Sequence, residues 1–144
     1  MTSLLDGIQQ ARGSGDLRAS IETVPYFKWL GLEVELREDE LVTILPFQDM
    51  LVGNPLLPAL HGGVTGAFLE SAAMISLIGA METVKLPKII NITIEYLRSA
   101  RPLDSFATAV VTKQGRRVAN VRATAWQDDR DAPIAIANAH FLIA

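Results

Sequence analysis

Hydrophobic and polar positions along the chain change their spacing several times, and each change marks a new element. Leu4, Leu5 and Ile8 stand at helical spacing, Gly13-Ser14-Gly15-Asp16 breaks that helix, and a second short helix is expected near Leu17 to Glu22. Pro25-Tyr26-Phe27-Lys28-Trp29-Leu30-Gly31 reads as an aromatic turn. Leu32 to Leu36 and Leu41 to Leu45, separated by Arg37-Glu38-Asp39-Glu40, read as a hairpin. Phe47 to Ala59, with Gly53, Pro55 and Pro58, reads as an ordered loop long enough to carry function. Residues 62 to 81 then hold one charge, Glu70, in twenty positions. As a helix they would span about 30 Å.

From Lys88 onward the period is two. Ile90, Ile92, Ile94 and Tyr96 alternate with Asn91, Thr93 and Glu95, and Ala107, Ala109 and Val111 with Phe106, Thr108 and Val110. Two more runs, Ala119 to Ala125 and Ala135 to Phe141, follow turns at Gly115-Arg116 and Asp128-Asp129-Arg130-Asp131. Three or four antiparallel strands are implied. Their Ala/Val face suits a thick helix lying close, because small side chains shorten the helix-to-sheet distance. The 62–81 segment is apolar all round, which fits a membrane span or a helix wrapped by protein. Its four glycines, two serines and central carboxylate, with sixty strand-like residues behind it, favour the wrapped helix. The expectation is an α+β domain spanning residues 1–144, with a helical prelude over 1–30 and a core over 31–144.

Composition narrows the function. Sixteen acidic against thirteen basic residues, a net charge of −3, leave no basic face for nucleic acid. The absence of cysteine removes disulfides, thiolate-bound zinc and a thiol nucleophile. The two histidines, His61 and His140, share no ligand spacing with carboxylates, so no metal is expected. The N-terminus lacks a basic region followed by a continuous apolar run, so no secretory signal or membrane association is expected and a cytoplasmic location is.

Glu70 is the chemical anomaly. A carboxylate centred in an uncharged helix is desolvated unless it faces a cavity or a donor, and desolvation raises its pKa towards the range useful for acid/base work. Its helical neighbours Gly66, Ala67 and Ala73 are small and leave room beside it; Met74 is the fourth. Structural pairing with a strand arginine, or a place on a subunit seam, is the alternative. His61-Gly62-Gly63 stands where loop becomes helix, and first-turn N–H groups are free to face a ligand that glycine lets approach. A carbonyl bound there would be polarised and its oxyanion stabilised; alternatively His61 is simply a helix cap. Nine residues separate His61 from Glu70, about 13 Å along a helix and nearly half a turn out of phase. One chain therefore cannot bring both to one atom, and a shared site requires two subunits.

The run His61-Gly62-Gly63-Val64-Thr65-Gly66-Ala67-Phe68-Leu69-Glu70-Ser71-Ala72, followed by Ile92-Thr93-Ile94-Glu95-Tyr96-Leu97-Arg98, resembles the PaaI-like hotdog-fold acyl-CoA thioesterases. The resemblance covers the chain from about Gly31 onward. It implies a long central helix wrapped by an antiparallel sheet of five to six strands, in a homodimer or dimer of dimers with sites between subunits. It further implies Glu70 as base or nucleophile, with Gly62 N–H and His61 on the thioester carbonyl, and Asn54 as the residue orienting water or thioester. Gly115-Arg116 match a pair that lies near the CoA tail in that family; apart from the resemblance, Gly63 at the helix start and Arg98 at a strand end are candidates for contacts to the substrate and the CoA phosphates, and CoA enters as part of the substrate, with no cofactor. Three departures stand out: Glu where Asp is commoner, Asn54 one residue farther from the histidine than expected, and Lys88, Ile89 and Ile90 where a supporting Ser or Thr is often found. A non-catalytic acyl-CoA-binding module and a hydroxyacyl-CoA dehydratase are the alternative functions. Phe47, Met50, Leu51, Leu56 and Leu57 are candidates for the acyl pocket.

Overall fold

The structure, a computed structural model, describes residues 21–80 and 86–144. The helix expected over residues 3–11, and most of the one near Leu17 to Glu22, lie outside them. The segment read as an aromatic turn is a helix, α1 (Pro25–Leu30), which buries Phe27 and Leu30. Pro25 opens it with a φ already helical, and Gly31 closes it at φ 74°, a left-handed position where a side chain would be strained. Those two residues carried the helix signal, but six residues are too few to show a period. Tyr26 and Trp29 stack on its exposed side, ring centres 5.8 Å apart.

The expected hairpin forms as β1 (Glu33–Arg37) and β2 (Glu40–Leu45), with Glu38 and Asp39 both at positive φ in its two-residue turn. The ordered loop contains a 3₁₀ turn (Asp49–Leu51) and two short paired strands, β3 (Val52–Asn54) and β4 (Ala59–Leu60). The long helix α2 runs Gly62–Ala80, followed by β5 (Lys88–Tyr96), β6 (Ser105–Gln114), β7 (Val118–Trp126) and β8 (Ala135–Leu142). The six long strands form one antiparallel sheet in the order β1-β2-β6-β7-β8-β5.

Strand register explains how the helix fits. Ala107, Ala125 and Ala135 stand in one cross-strand row, Ala109, Ala123 and Ala137 in the next, and Val111, Val121 and Ala139 in a third. These rows make a shallow inner face on which Phe68, Leu69, Ala72, Ile75 and Leu77 of α2 are buried. By length and apolarity α2 alone would pass for a membrane span, but 56% of that stretch is buried within the chain. Buried Val42, Ile44 and Trp126 form a second cluster, with Phe106 packed against it. Arg130 lies over Trp126 and makes a two-pronged ion pair with Glu40 at 2.8 Å, which holds the Glu40 carboxyl below its ordinary range.

One alternation differs from expectation. A bulge between Ile89 and Asn91 makes Ile90 the extra residue, so Ile89 pairs with Phe141 and Ile90 leaves the Ile92-Ile94-Tyr96 face. Pairing register with β8 decides this, and a strand's own sequence does not carry it.

Candidate active site

The start of α2 is built from four segments. The His61 N–H donates to the Leu51 carbonyl at 2.8 Å, and the Leu60 N–H to the Ala100 carbonyl at 2.9 Å. Gly53 lies so close that a Cβ there would sit 2.6 Å from the Cα of His61. Only glycine allows that approach. The Gly63 N–H then donates to Nδ1 of His61 at 2.8 Å, and the His61 carbonyl accepts from the Val64 and Thr65 N–H groups at 3.0 and 3.2 Å. Since Nδ1 accepts, a neutral His61 carries its proton on Nε2. The first-turn donors are thus satisfied from inside the chain, with one exception: among the described residues, the Gly62 N–H has no acceptor. The expected cap and the expected free N–H both exist, side by side.

Tyr96 completes this end. It closes the inward row of β5, its ring lies against Gly62, and its hydroxyl donates to the Gly62 carbonyl at 2.7 Å. A groove of about 390 Å³ opens here, walled by Leu60, Gly62, Thr65, Tyr96, Arg98 and Ile134. Arg98, Ser99 and Ile134 also line a second hollow of about 290 Å³ that includes Arg101, Asp128 and the buried Gln127. Gln127 holds the intervening chain by accepting from the Arg101 N–H and donating to its carbonyl, and Arg101 is ion-paired with Asp128.

Of the residues singled out from the sequence, Gly62 and Arg98 line the groove, and His61 and Gly63 are bonded to one another beside it. Asn54 is exposed, and its Oδ1 accepts from the Leu56 and Leu57 N–H groups, capping the β3–β4 turn and leaving Nδ2 as its available group. Met50, Leu56 and Leu57 are exposed, Leu51 is buried in the core, and Phe47 packs partly buried against it. Gly115 and Arg116 lie in the β6–β7 turn, where the Gly115 N–H meets the Val118 carbonyl. That turn is at the end of β6 opposite Ser105, ten residues away or about 30 Å at strand rise. Within one chain it does not approach the groove. Tyr96, Thr65 and Ser99 were not singled out; the place of Tyr96 at the end of the Ile92-Ile94 row was legible, but its hydroxyl's partner lies 34 residues away and is set by the fold.

Glu70 is half-buried on the less covered stripe of α2, with Gly63, Ala67 and Met74. Among the described residues no donor or cation partners its carboxylate, and burial pushes its pKa above the ordinary 4.5. The strand arginine that would have made it a structural ion pair is absent among those residues. Glu70 also does not line the groove at the helix start. No three His, Asp or Glu side chains among the described residues converge as metal ligands would.

A sequence profile of the thioesterase superfamily matches residues 57–134, the stretch holding α2 and strands β5, β6 and β7. The chain belongs to the thioesterase superfamily. Within that superfamily it is 28% identical to the medium/long-chain acyl-CoA thioesterase YigI of Salmonella typhimurium and 27% identical to YigI of Escherichia coli K12, with 99% of each chain covered in both cases. Among solved structures it is 45% identical to a Chromobacterium violaceum protein, at TM-score 0.71 with 86% of each chain covered. A Bacillus halodurans protein crystallised with CoA shares the fold, at TM-score 0.72 and 20% identity, with 98% of this chain and 88% of that one covered. The superfamily's hotdog arrangement, a long helix wrapped by an antiparallel sheet, is the one described above.

Proposed function

We propose that the protein hydrolyses acyl-CoA thioesters to a free acid and CoA, with medium- to long-chain acyl groups as its substrates. The superfamily supports the reaction, and the two YigI relatives, alike over their full length, support the acyl class. The observation that carries the mechanism is the Gly62 N–H, the one first-turn donor without an acceptor among the described residues, on a residue that lines the groove. A thioester carbonyl placed there accepts from Gly62 N–H and from Nε2–H of His61, and both bonds strengthen as oxygen gains charge. Glu70 removes a proton from water as the water attacks, the C–S bond breaks, and CoA leaves as the thiol with that proton; in the other course Glu70 attacks the carbonyl itself, CoA leaves as the thiolate, and water then hydrolyses the acyl–Glu70 anhydride to the free acid and supplies the thiol proton. Arg98 offers a cation to the CoA phosphates. A donor at the thioester carbonyl would also serve dehydration or simple binding; the superfamily and the YigI relatives are what favour hydrolysis.

Glu70 reaches that carbonyl from a second subunit. Two features support a homodimer. Apart from Glu70 the less buried stripe holds only Gly63, Ala67 and Met74, two small residues and a flexible apolar one, so two α2 helices can lie antiparallel with each Glu70 near the other's first turn. Among the described residues strand β5 is a nine-residue edge paired only with β8, and its Ile89, Ile90 and Tyr96 are exposed, an edge that a second copy covers. The same packing brings Gly115-Arg116 of one chain to the groove of the other. Asn54 contributes only through its Nδ2. CoA enters as part of the substrate, no cofactor takes part, and the protein works in the cytoplasm.

The test is complementation. Release of CoA thiol from acyl-CoAs of graded chain length is measured for the parent, for His61→Ala, for Glu70→Gln, and for the two variants mixed through unfolding and refolding. With shared sites, heterodimers hold one intact site, and a random mixture recovers about a quarter of parent activity. If the mixture stays as inactive as its components, the two-subunit site is wrong.

A further inference from the structure

Tandem glycines at the start of a helix are loose, because neither has a Cβ to restrict its backbone and both lose much conformational entropy on folding. Yet the Gly62–Gly63 peptide is held at both ends. Its carbonyl oxygen accepts from the Tyr96 hydroxyl at 2.7 Å, and its N–H donates to Nδ1 of His61 at 2.8 Å. The surroundings are shaped for this. A Cβ on Gly62 would lie 3.5 Å from the Tyr96 hydroxyl oxygen, one on Gly66 would lie 3.6 Å from it, and one on Gly63 would lie 2.9 Å from the His61 ring. The Tyr96 ring therefore fills the space beside one glycine and the His61 ring the space beside the other.

A hydrogen bond accepted by an amide oxygen draws electron density from its nitrogen and makes the N–H a stronger donor, so bonds in such a chain reinforce one another. The direction here runs from Tyr96 through the peptide to Nδ1, and it leaves the proton of a neutral His61 on Nε2. Nε2–H is the form the thioester carbonyl needs.

We propose that Tyr96 is a positioning residue for thioester hydrolysis, acting through the Gly62–Gly63 peptide to hold His61 in one orientation and one tautomer. This rests on the reading of the α2 start as the carbonyl site. Tyr96 touches neither reacting atom; it governs the group that does.

Tyr96→Phe keeps the ring and removes only the hydroxyl, so the fold is retained. Its kcat should fall roughly ten-fold with KM within about two-fold, the pattern of an interaction expressed in the transition state. In a His61→Ala background the same substitution should change kcat less than about two-fold, since the effect passes through the imidazole. Nitrogen-15 spectra of labelled histidine supply a readout without turnover. His61, told apart from His140 by His140→Gln, should show one unprotonated Nδ1 and one protonated Nε2 in the parent and a mixture of tautomers in Tyr96→Phe. An equal loss in both backgrounds would make Tyr96 a structural anchor only and overturn the proposal. An unchanged tautomer in Tyr96→Phe would also sink it, even if activity fell. No turnover by the parent on any acyl-CoA would defeat the reaction reading, and the catalytic half of the proposal with it, while the spectra still decide whether the clamp exists.

Discussion

The first turn of α2 and its middle are opposites. In the first turn the chain satisfies its own polar groups: His61 caps Gly63, the His61 carbonyl takes two N–H groups, Tyr96 bonds Gly62, and one donor is left over. At mid-helix a carboxylate stands half-buried with no partner among the described residues, its pKa raised by burial. One end is pre-organised by its own chain and the other is unfinished. The difference teaches that one helix carries polar groups of two kinds, donors fixed in place by their own chain and a carboxylate left without a partner among the described residues, which under the proposed function are halves of a site that a second copy would complete.

The largest effect belongs to the unfinished half. Glu70→Gln should lower kcat/KM about 10³-fold, within the range for losing a positioned acid/base group. Its signature is pH. Because burial lifts the folded pKa above 4.5, activity should rise along an acidic limb centred above that value, and the limb should vanish in Glu70→Gln. Stability follows the same sign. A carboxyl whose folded pKa is raised favours the fold when protonated, so its contribution is full below the unfolded pKa and is lost as pH rises through the folded one. Glu70→Gln should therefore be the more stable protein at pH 7 by chemical denaturation, with the difference closing under acid conditions. A parent more stable than the variant at pH 7 would mean that Glu70 has a partner.

Next come changes to the pre-organised half. His61→Ala removes one carbonyl donor and should cost about 10²-fold in kcat. It also removes a helix cap, which should lower stability by about 1 kcal/mol. Gly53→Val should act through packing: its Cβ would meet the His61 backbone at 2.6 Å, which only a shift of the helix start can relieve. A loss of about 1–3 kcal/mol in stability is expected, with lower activity. If Gly53→Val kept full activity, the helix start would be less rigidly held than the comparison requires.

The smallest effect lies away from both halves. Glu40 and Arg130 are about half exposed, so Glu40→Gln should cost only about 0.5 kcal/mol despite good geometry. The carboxyl is held below its ordinary range, so that contribution is present at neutral pH and lost under acid conditions. Thioester hydrolysis should not change.

The sequence determined much of this protein without help. A helix with one charge in twenty positions, and strands whose inward residues are Ala and Val, dictate a wrapped helix on a sheet, because burial follows local period and residue size. Glu70 and His61-Gly62-Gly63 were legible because an isolated carboxylate and a glycine-rich helix start are anomalies against that pattern. Short or register-dependent features were not legible: α1 spans less than two turns, and the β5 bulge depends on β8. The tertiary structure alone decided which donors are spent and which is free. Asn54 uses its oxygen on a turn two residues away, Tyr96 reaches back 34 residues to a backbone carbonyl, and Gly115-Arg116 ends up at the far end of a strand. Hydrogen bonds between residues distant in sequence depend on strand order and register, and neither is written in any one segment.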